Sequence, residues 1–288
     1  MEGKTMLTQK LIQEKCSDLE KDYVAFMVEQ FFEWENFVKA TQKLLDNKEA
    51  NETEVPKPYL LEFRMLREVL KMEATGKFDW NNPVLKESFA HFAASPYYKL
   101  WGSTIVKISL RLAEIAGVKT LLEIGAGRGN LTEIMLKEMS ISAKPIKLIV
   151  TDAAAIVIDS IGKLKNSYPY VDMETLLWDI KESPTKELLD KIEPPCLVYE
   201  RASIMYSNIP AIKHLTRIAD IGIFGDMFNY TGQLYAVDKI AKKIGGEPLF
   251  YNQIKPIMDT CYQDHFMFDL RAQQELKYPN TTILIGWK

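Results

Sequence analysis

The segment LLEIGAGRGN, Leu121 to Asn130, decides the fold. It closes a short and almost wholly apolar run, Val118–Ile124, as expected for a strand buried on both faces. It then turns through Gly125, Gly127 and Gly129 into a helical stretch, Leu131–Met139. Glycines have no Cβ, so a G-x-G-x-G turn can bend sharply and bring backbone N–H groups close to a ligand. The usual dinucleotide fingerprint is G-x-G-x-x-G, with a pyrophosphate on the helix N-terminus. Here the third glycine comes one residue early and Glu123 stands just before the turn. A carboxylate there suits a cation or an amino group better than a pyrophosphate.

Working downstream, strand-like and helix-like runs alternate. The spacing predicts strands at Ile146–Thr151, Glu174–Trp178, Cys196–Tyr199, Ile221–Phe224, Tyr262–Phe268 and Thr281–Trp287. Helices are predicted at Ala154–Asn166, Ile209–Ile218 and Leu234–Ile244. Such alternation implies right-handed crossovers and a doubly wound parallel sheet. Only a polar turn, Ala272 to Asn280, separates the last two strands, too short for a crossover helix, so the final strand is expected to run antiparallel.

Two further acids close strands. Asp152 ends KLIVTD and Asp179 ends TLLWD. A carboxylate at the first position can accept hydrogen bonds from a ribose diol, and one at the second from an adenine amino group. Ligands of open parallel sheets bind beyond the carboxyl ends of the strands, where both residues fall. With the glycine turn, they specify a nucleoside bearing an amino-acid-like tail.

On these residues, 117–288 resembles a class I S-adenosylmethionine-dependent methyltransferase. The family's acid followed by G-x-G-x-G is matched by Glu123, Gly125, Gly127 and Gly129, then by Asp152 and Asp179 in order. The resemblance implies a Rossmann-like seven-stranded sheet whose last strand is antiparallel, and S-adenosylmethionine as cofactor. It implies a cofactor site made of Glu123, Gly125, Ala126, Gly127, Gly129, Asn130, Asp152, Ala153, Asp179, Ile180 and Glu200. Ala153 and Ile180 would flank the base. The stretch after the fourth strand, YERASIMYSNIP, would line the methionyl end and the acceptor, making Glu200, Arg201, Ser203 and Tyr206 candidates. No N-P-P-Y or D-P-P-Y run marks base amino groups as acceptors, and the double-E loop of protein arginine methyltransferases is missing.

A catalytic base is not legible. His91, Tyr206 and Asp226 are weak candidates, with Tyr230 expected to face the pocket beside them. His214 reads as exposed on a helix and His265 as buried mid-strand. The acids and histidines have no metal-ligand spacing, so no metal is expected. Methyl transfer needs little beyond alignment of an in-line nucleophile.

Upstream of residue 117 the sequence reads as all-helical. Leu7, Leu11, Leu19, Tyr23, Phe26, Val28, Phe31, Trp34 and Val38 recur at helical steps, as one helix or two in line. Asp46–Pro58 is polar and aperiodic and reads as a linker or exposed loop. Helices are expected at Tyr59–Thr75, from Asn82-Pro83, and at Pro96–Ala116 with Gly117 ending the last. Residues 1–116 are thus expected to form a helical cap or dimerisation segment ahead of a 117–288 cofactor domain. Phe31, Phe32, Trp34 and Phe37 are too many and too apolar for a solvated face. Tyr97, Tyr98 and Trp101 precede the first strand, where family members close over the cofactor.

Composition limits the partners. Across 288 residues, 36 Lys and Arg stand against 39 Asp and Glu, a net charge of −3, so no bulk basic field favours nucleic acid. Hydrophobic residues make up 47%, ordinary for a globular chain. The opening stretch lacks an apolar core and no run of about 18 apolar residues occurs, so a cytoplasmic, membrane-free protein is expected. Cys16, Cys196 and Cys261 are far apart, arguing against a disulfide framework. The expectation is a homodimeric methyltransferase of a small organic molecule, at oxygen, nitrogen or carbon. The alternatives are methylation of a protein or RNA, or a dimeric protein that binds the cofactor without turnover.

Overall fold

The computed structural model describes residues 6–29, 36–37, 39–41, 43–44, 46, 50–60, 63–64, 67–68, 70–71, 83, 96–141, 145–201, 203, 209–226, 258–269 and 282–288. Seven strands form one sheet in the order β3-β2-β1-β4-β5-β7-β6. They are β1 (Thr120–Ile124), β2 (Lys147–Asp152), β3 (Met173–Leu177), β4 (Cys196–Arg201), β5 (Ile221–Asp226), β6 (Asp264–Asp269) and β7 (Thr282–Trp287). The first five are parallel, and β7 lies between β5 and β6, antiparallel to both. The short Ala272–Asn280 connection that predicted this reversal lies outside the described residues. So do the expected helix at Leu234–Ile244 and all but Pro83 of the one opening at Asn82.

Helices cover both faces. On one lie α1 (Gln9–Glu29), α2 (Pro96–Ala116), α3 (Asn130–Ile141) and α4 (Ala155–Gly162), whose buried side chains join Leu121, Val150, Tyr199 and Ile223 in the main core. On the other, Leu188 of α5 (Lys186–Lys191) and Leu215 of α6 (Ile209–Ile218) pack on Leu122, Ile149, Val198 and Phe224. Odd and even residues of β1 thus face opposite helical layers, and all five are buried. Strand order reverses between β1 and β4, so the switch point lies at their carboxyl ends.

α2 begins with Pro96 at its first position and ends at Gly117, whose φ is 64°. Val118 N–H donates to Ala113 O at 2.9 Å and Gly117 N–H to Glu114 O at 3.4 Å, the paired bonds of a Schellman stop. α1 docks on α2 and β6. Leu7, Ile12, Cys16 and Leu19 sink into the main core. Arg111 grips both carboxylate oxygens of Asp18 at 2.6 and 2.7 Å, and Gln9 donates to Asp264 at 2.9 Å. The main core is therefore continuous across residues 116 and 117.

Some expectations need correction. The region Asp46–Pro58 is not simply an exposed loop. Two 3-10 turns, Glu52–Glu54 and Lys57–Tyr59, bury Val55 and Tyr59 with Phe37, Ala40 and Phe63 in a small separate cluster. Irregular turns place apolar residues without a period, so no pattern could report them. Phe37 accordingly stacks on Tyr59, with ring centroids 5.2 Å apart, rather than on the sheet. Helix α5 is too short to show a period, and its start is fixed by Thr185, whose hydroxyl accepts Leu188 N–H at 3.2 Å.

The cysteines are free. Burial pushes the Cys16 thiol up to about 11 and the Cys196 thiol up to about 12, so neither is a nucleophile. Among the described residues no cluster of His, Cys, Asp and Glu could hold a metal ion, and no helix is long and apolar enough to cross a membrane.

Candidate functional site

The turn from β1 to α3 takes its shape from backbone that only glycine tolerates well. Gly125, Gly127 and Gly129 have φ of 61°, 55° and 76°. A Cβ on Gly125 would lie 2.3 Å from Ser203 Oγ and 2.8 Å from its Cβ. Ser203 needs that space, because its hydroxyl braces the turn against Ile124 O at 3.1 Å and Gly125 O at 3.3 Å. Ala126 N–H donates to Thr151 O at 3.1 Å, tying the turn to β2 as well.

Asp152 completes the tie. One carboxylate oxygen accepts Gly127 N–H at 2.9 Å and the other accepts Ala154 N–H at 2.8 Å. One side chain therefore fixes both the glycine turn and the entry to α4. Burial pushes its pKa up, backbone N–H donors oppose the shift, and the charge of Asp179 adds to it. The ends of β2 and β3 are joined by Trp178 N–H, which donates to Asp152 O at 3.0 Å. Asp179 accepts Lys181 N–H at 2.9 Å. Ala153 is exposed beside Asp152, Asn130 is half-buried at the start of α3, and Ile180 is half-buried against the second core.

Glu123 is fully buried behind the turn rather than open beside it. Tyr199, its neighbour in register on β4, donates its hydroxyl to the carboxylate at 2.9 Å. Burial pushes Glu123 up to about 7, against the pull of Tyr199, Thr132 and the Arg201 charge. Glu200, also buried, points to the other face and accepts Ser203 N–H at 2.7 Å. Tyr199 was missed in the sequence. Its signal was one hydroxyl in an apolar strand, and only the register reveals its partner.

No protein-family model matches the sequence, and no curated protein does. Solved structures do. The CMeT domain of the citrinin polyketide synthase matches with a TM-score of 0.64 at 16% identity, over 86% of this chain and 68% of that one. The CurJ carbon methyltransferase matches with a TM-score of 0.62 at 14% identity, over 97% and 93%. The trans-methyltransferase CalH, in complex with SAH, matches with a TM-score of 0.52 at 14% identity, over 87% and 72%. The chain has the class I methyltransferase fold.

In this methyltransferase fold the acidic strand ends and the glycine turn share one edge, the carboxyl edge of β1, β2 and β3. His265, set aside in the sequence, does not join them there. His265 is the second residue of β6, opposite Gly286, at the amino end of the parallel strands, with Nδ1 3.5 Å from Asp259. His214 is half-buried midway along α6. Asp226 is the last residue of β5 and pairs with Thr282, at the correct edge, but its side chain lies outside the described residues. His91, Tyr206 and Tyr230 also lie outside them.

Proposed function

We propose that the protein transfers a methyl group from S-adenosylmethionine to a small organic molecule. The observation that carries this is the edge formed by the three left-handed glycines and the Asp152 and Asp179 carboxylates on adjoining strands. The residues fit the cofactor on their own chemistry. The glycine turn exposes backbone without side chains, and two neighbouring acids offer acceptors but no cation, which suits ribose and adenine amino donors rather than a phosphate. Asp152 still has lone pairs free after accepting two N–H groups.

When bound, the cofactor supplies an electrophilic methyl group on a sulfonium sulfur. Gly125 to Gly129 would hold the methionyl portion, Asp152 the ribose, and Asp179 with Ala153 and Ile180 the adenine. The buried Glu123 would contribute a negative potential behind the turn, favourable to the cation. Ser203 keeps the turn and the segment after β4 in fixed relation, which is the alignment an in-line displacement needs. Carbon is the acceptor atom favoured by the CurJ likeness, and a small molecule fits a chain without a basic field. The helical segment is read as a roof over this edge and as part of a homodimer contact, and sedimentation equilibrium tests the dimer separately.

Titration calorimetry tests the cofactor directly. S-adenosylmethionine and S-adenosylhomocysteine should bind and NAD should not. Clear NAD binding with no binding of either sulfur compound would refute the reading. Turnover of labelled cofactor in a metabolite extract then separates an enzyme from a cofactor-binding scaffold.

A further inference from the structure

Strand β4 ends in two buried charged residues; Glu200 accepts Ser203 N–H, and the other, Arg201, has no role in the functional reading above. Alternation along β4 sends Arg201 to the same face as Tyr199, whose neighbour on β1 is Glu123. Its guanidinium carbon lies 3.6 Å from the centre of the Tyr98 ring, and Nη1 donates to Tyr98 O at 2.9 Å. Both contacts are to the first turn of α2. One turn further on, a Cβ on Gly102 would lie 2.3 Å from Nη1, so this glycine is the notch that admits the guanidinium. A ring face, a carbonyl and a notch within five residues of one helix form a fitted socket for a planar cation.

The socket joins two parts of the molecule. Tyr98 lies at the start of α2, where the helical segment reaches the carboxyl edge of the sheet. Glu123 lies behind the glycine turn, where Tyr199 of β4 bonds to it, and Arg201 of β4, Thr132 of α3 and Asp152 of β2 act on its charge. Arg201 is the cation among these. We propose that Arg201 is a positioning residue for methyl transfer, which seats the first turn of α2 on the end of β4 and places a positive charge on the face that Glu123 shares behind the cofactor turn. This rests on the function proposed above, since the charge of Glu123 matters only if a cationic cofactor sits before it.

The test uses the full chain, with S-adenosylhomocysteine as probe. Its amino group is cationic, so affinity should rise with pH as Glu123 ionises. In R201M that rise should move to higher pH by about one unit. R201K, which keeps the charge, should return most of it. Amide exchange at residues 98–102 should quicken in R201M by about tenfold, because the seat of α2 is lost. Should R201M fail to fold, G102A tests the same socket: a helix-favouring methyl group pushes the guanidinium out while Arg201 remains. Faster exchange with an unmoved affinity profile would reduce Arg201 to a packing residue and overturn the proposal, as would no change in either readout. A parent protein that binds no S-adenosylhomocysteine at any pH would instead refute the proposed function, an outcome distinct from binding that ignores Arg201.

Discussion

Replacing Asp152 with Asn separates the two tasks assigned to this side chain. The carboxylate oxygens accept one backbone N–H each, from Gly127 at 2.9 Å and Ala154 at 2.8 Å. Asn keeps one acceptor and turns an NH2 group toward the other N–H. One hydrogen bond to a charged group is lost, worth about 1.5–3 kcal/mol, and a donor is left facing a donor. Folding should feel only part of this. Burial already pushes the Asp152 pKa up, so a neutral side chain recovers some of the cost of keeping the charge in the folded state. Net destabilisation of about 1–2 kcal/mol is expected from denaturant melts at neutral pH. Cofactor affinity should fall by the full 1.5–3 kcal/mol, roughly 10- to 150-fold, because the ribose acceptor and the glycine turn weaken together. Calorimetry with S-adenosylhomocysteine measures the affinity and amide exchange at Gly127 reports the turn. A variant that binds within about twofold of the parent, with Gly127 exchanging as slowly, would refute both the anchoring and the ribose assignment.

Three further outcomes are expected. Glu123 is raised from 4.5 to about 7, so the folded state keeps a proton that the unfolded chain has already lost; stability should fall by about 3 kcal/mol as pH rises across that window. Glu123→Gln should remove this slope, and parallel urea melts between about pH 4 and 8 that show the same slope in both proteins would contradict the assignment. Gly125→Ala combines a left-handed residue, costing about 1–2 kcal/mol, with a clash at Ser203 and the loss of its bonds, about 1 kcal/mol more. Adding Ser203→Gly should recover the clash but not the backbone strain, and strict additivity of the two substitutions would count against the contact. Ile12→Ala should cost about 2–5 kcal/mol because Ile12 is fully buried in the main core, and a chain lacking residues 1–29 that melted like the parent would show α1 to be dispensable.

The sheet was legible because its signals are local. Most of the parallel strands are short apolar runs, and a single residue type, glycine at spacing two, fixes the turn after the first. The predicted and observed strands agree to within a few residues at every one of the seven. Pro96–Ala116 and Ile209–Ile218 were legible for the same reason, a sustained period with a proline or glycine at an end. The segment 50–60 was not, because its buried residues follow two irregular turns and owe their burial in part to Phe37 and Ala40, on an earlier stretch of the chain. Position in the fold also bears on the histidines: His265, read from the sequence as buried mid-strand, is half-buried at the second position of its strand, and the strand order puts it at the far end of the sheet.

What the sequence determined by itself was therefore the order of elements, the reversal of the last strand and the identity of Glu123, Asp152 and Asp179 as the acids at one edge. Periodicity, glycine and strand-end position are properties of neighbouring residues, and they survive without coordinates. What only the tertiary structure decided was how those acids are used. Glu123 is sealed behind the turn by Tyr199, Asp152 spends two bonds on backbone, and Ser203 supports Gly125 from a strand away. Arg201 finds its place against Tyr98 and Gly102, about a hundred residues earlier in the chain. These pairings follow from strand register and helix docking, which set burial and hence the energy of each charge, and no local pattern in the sequence encodes them.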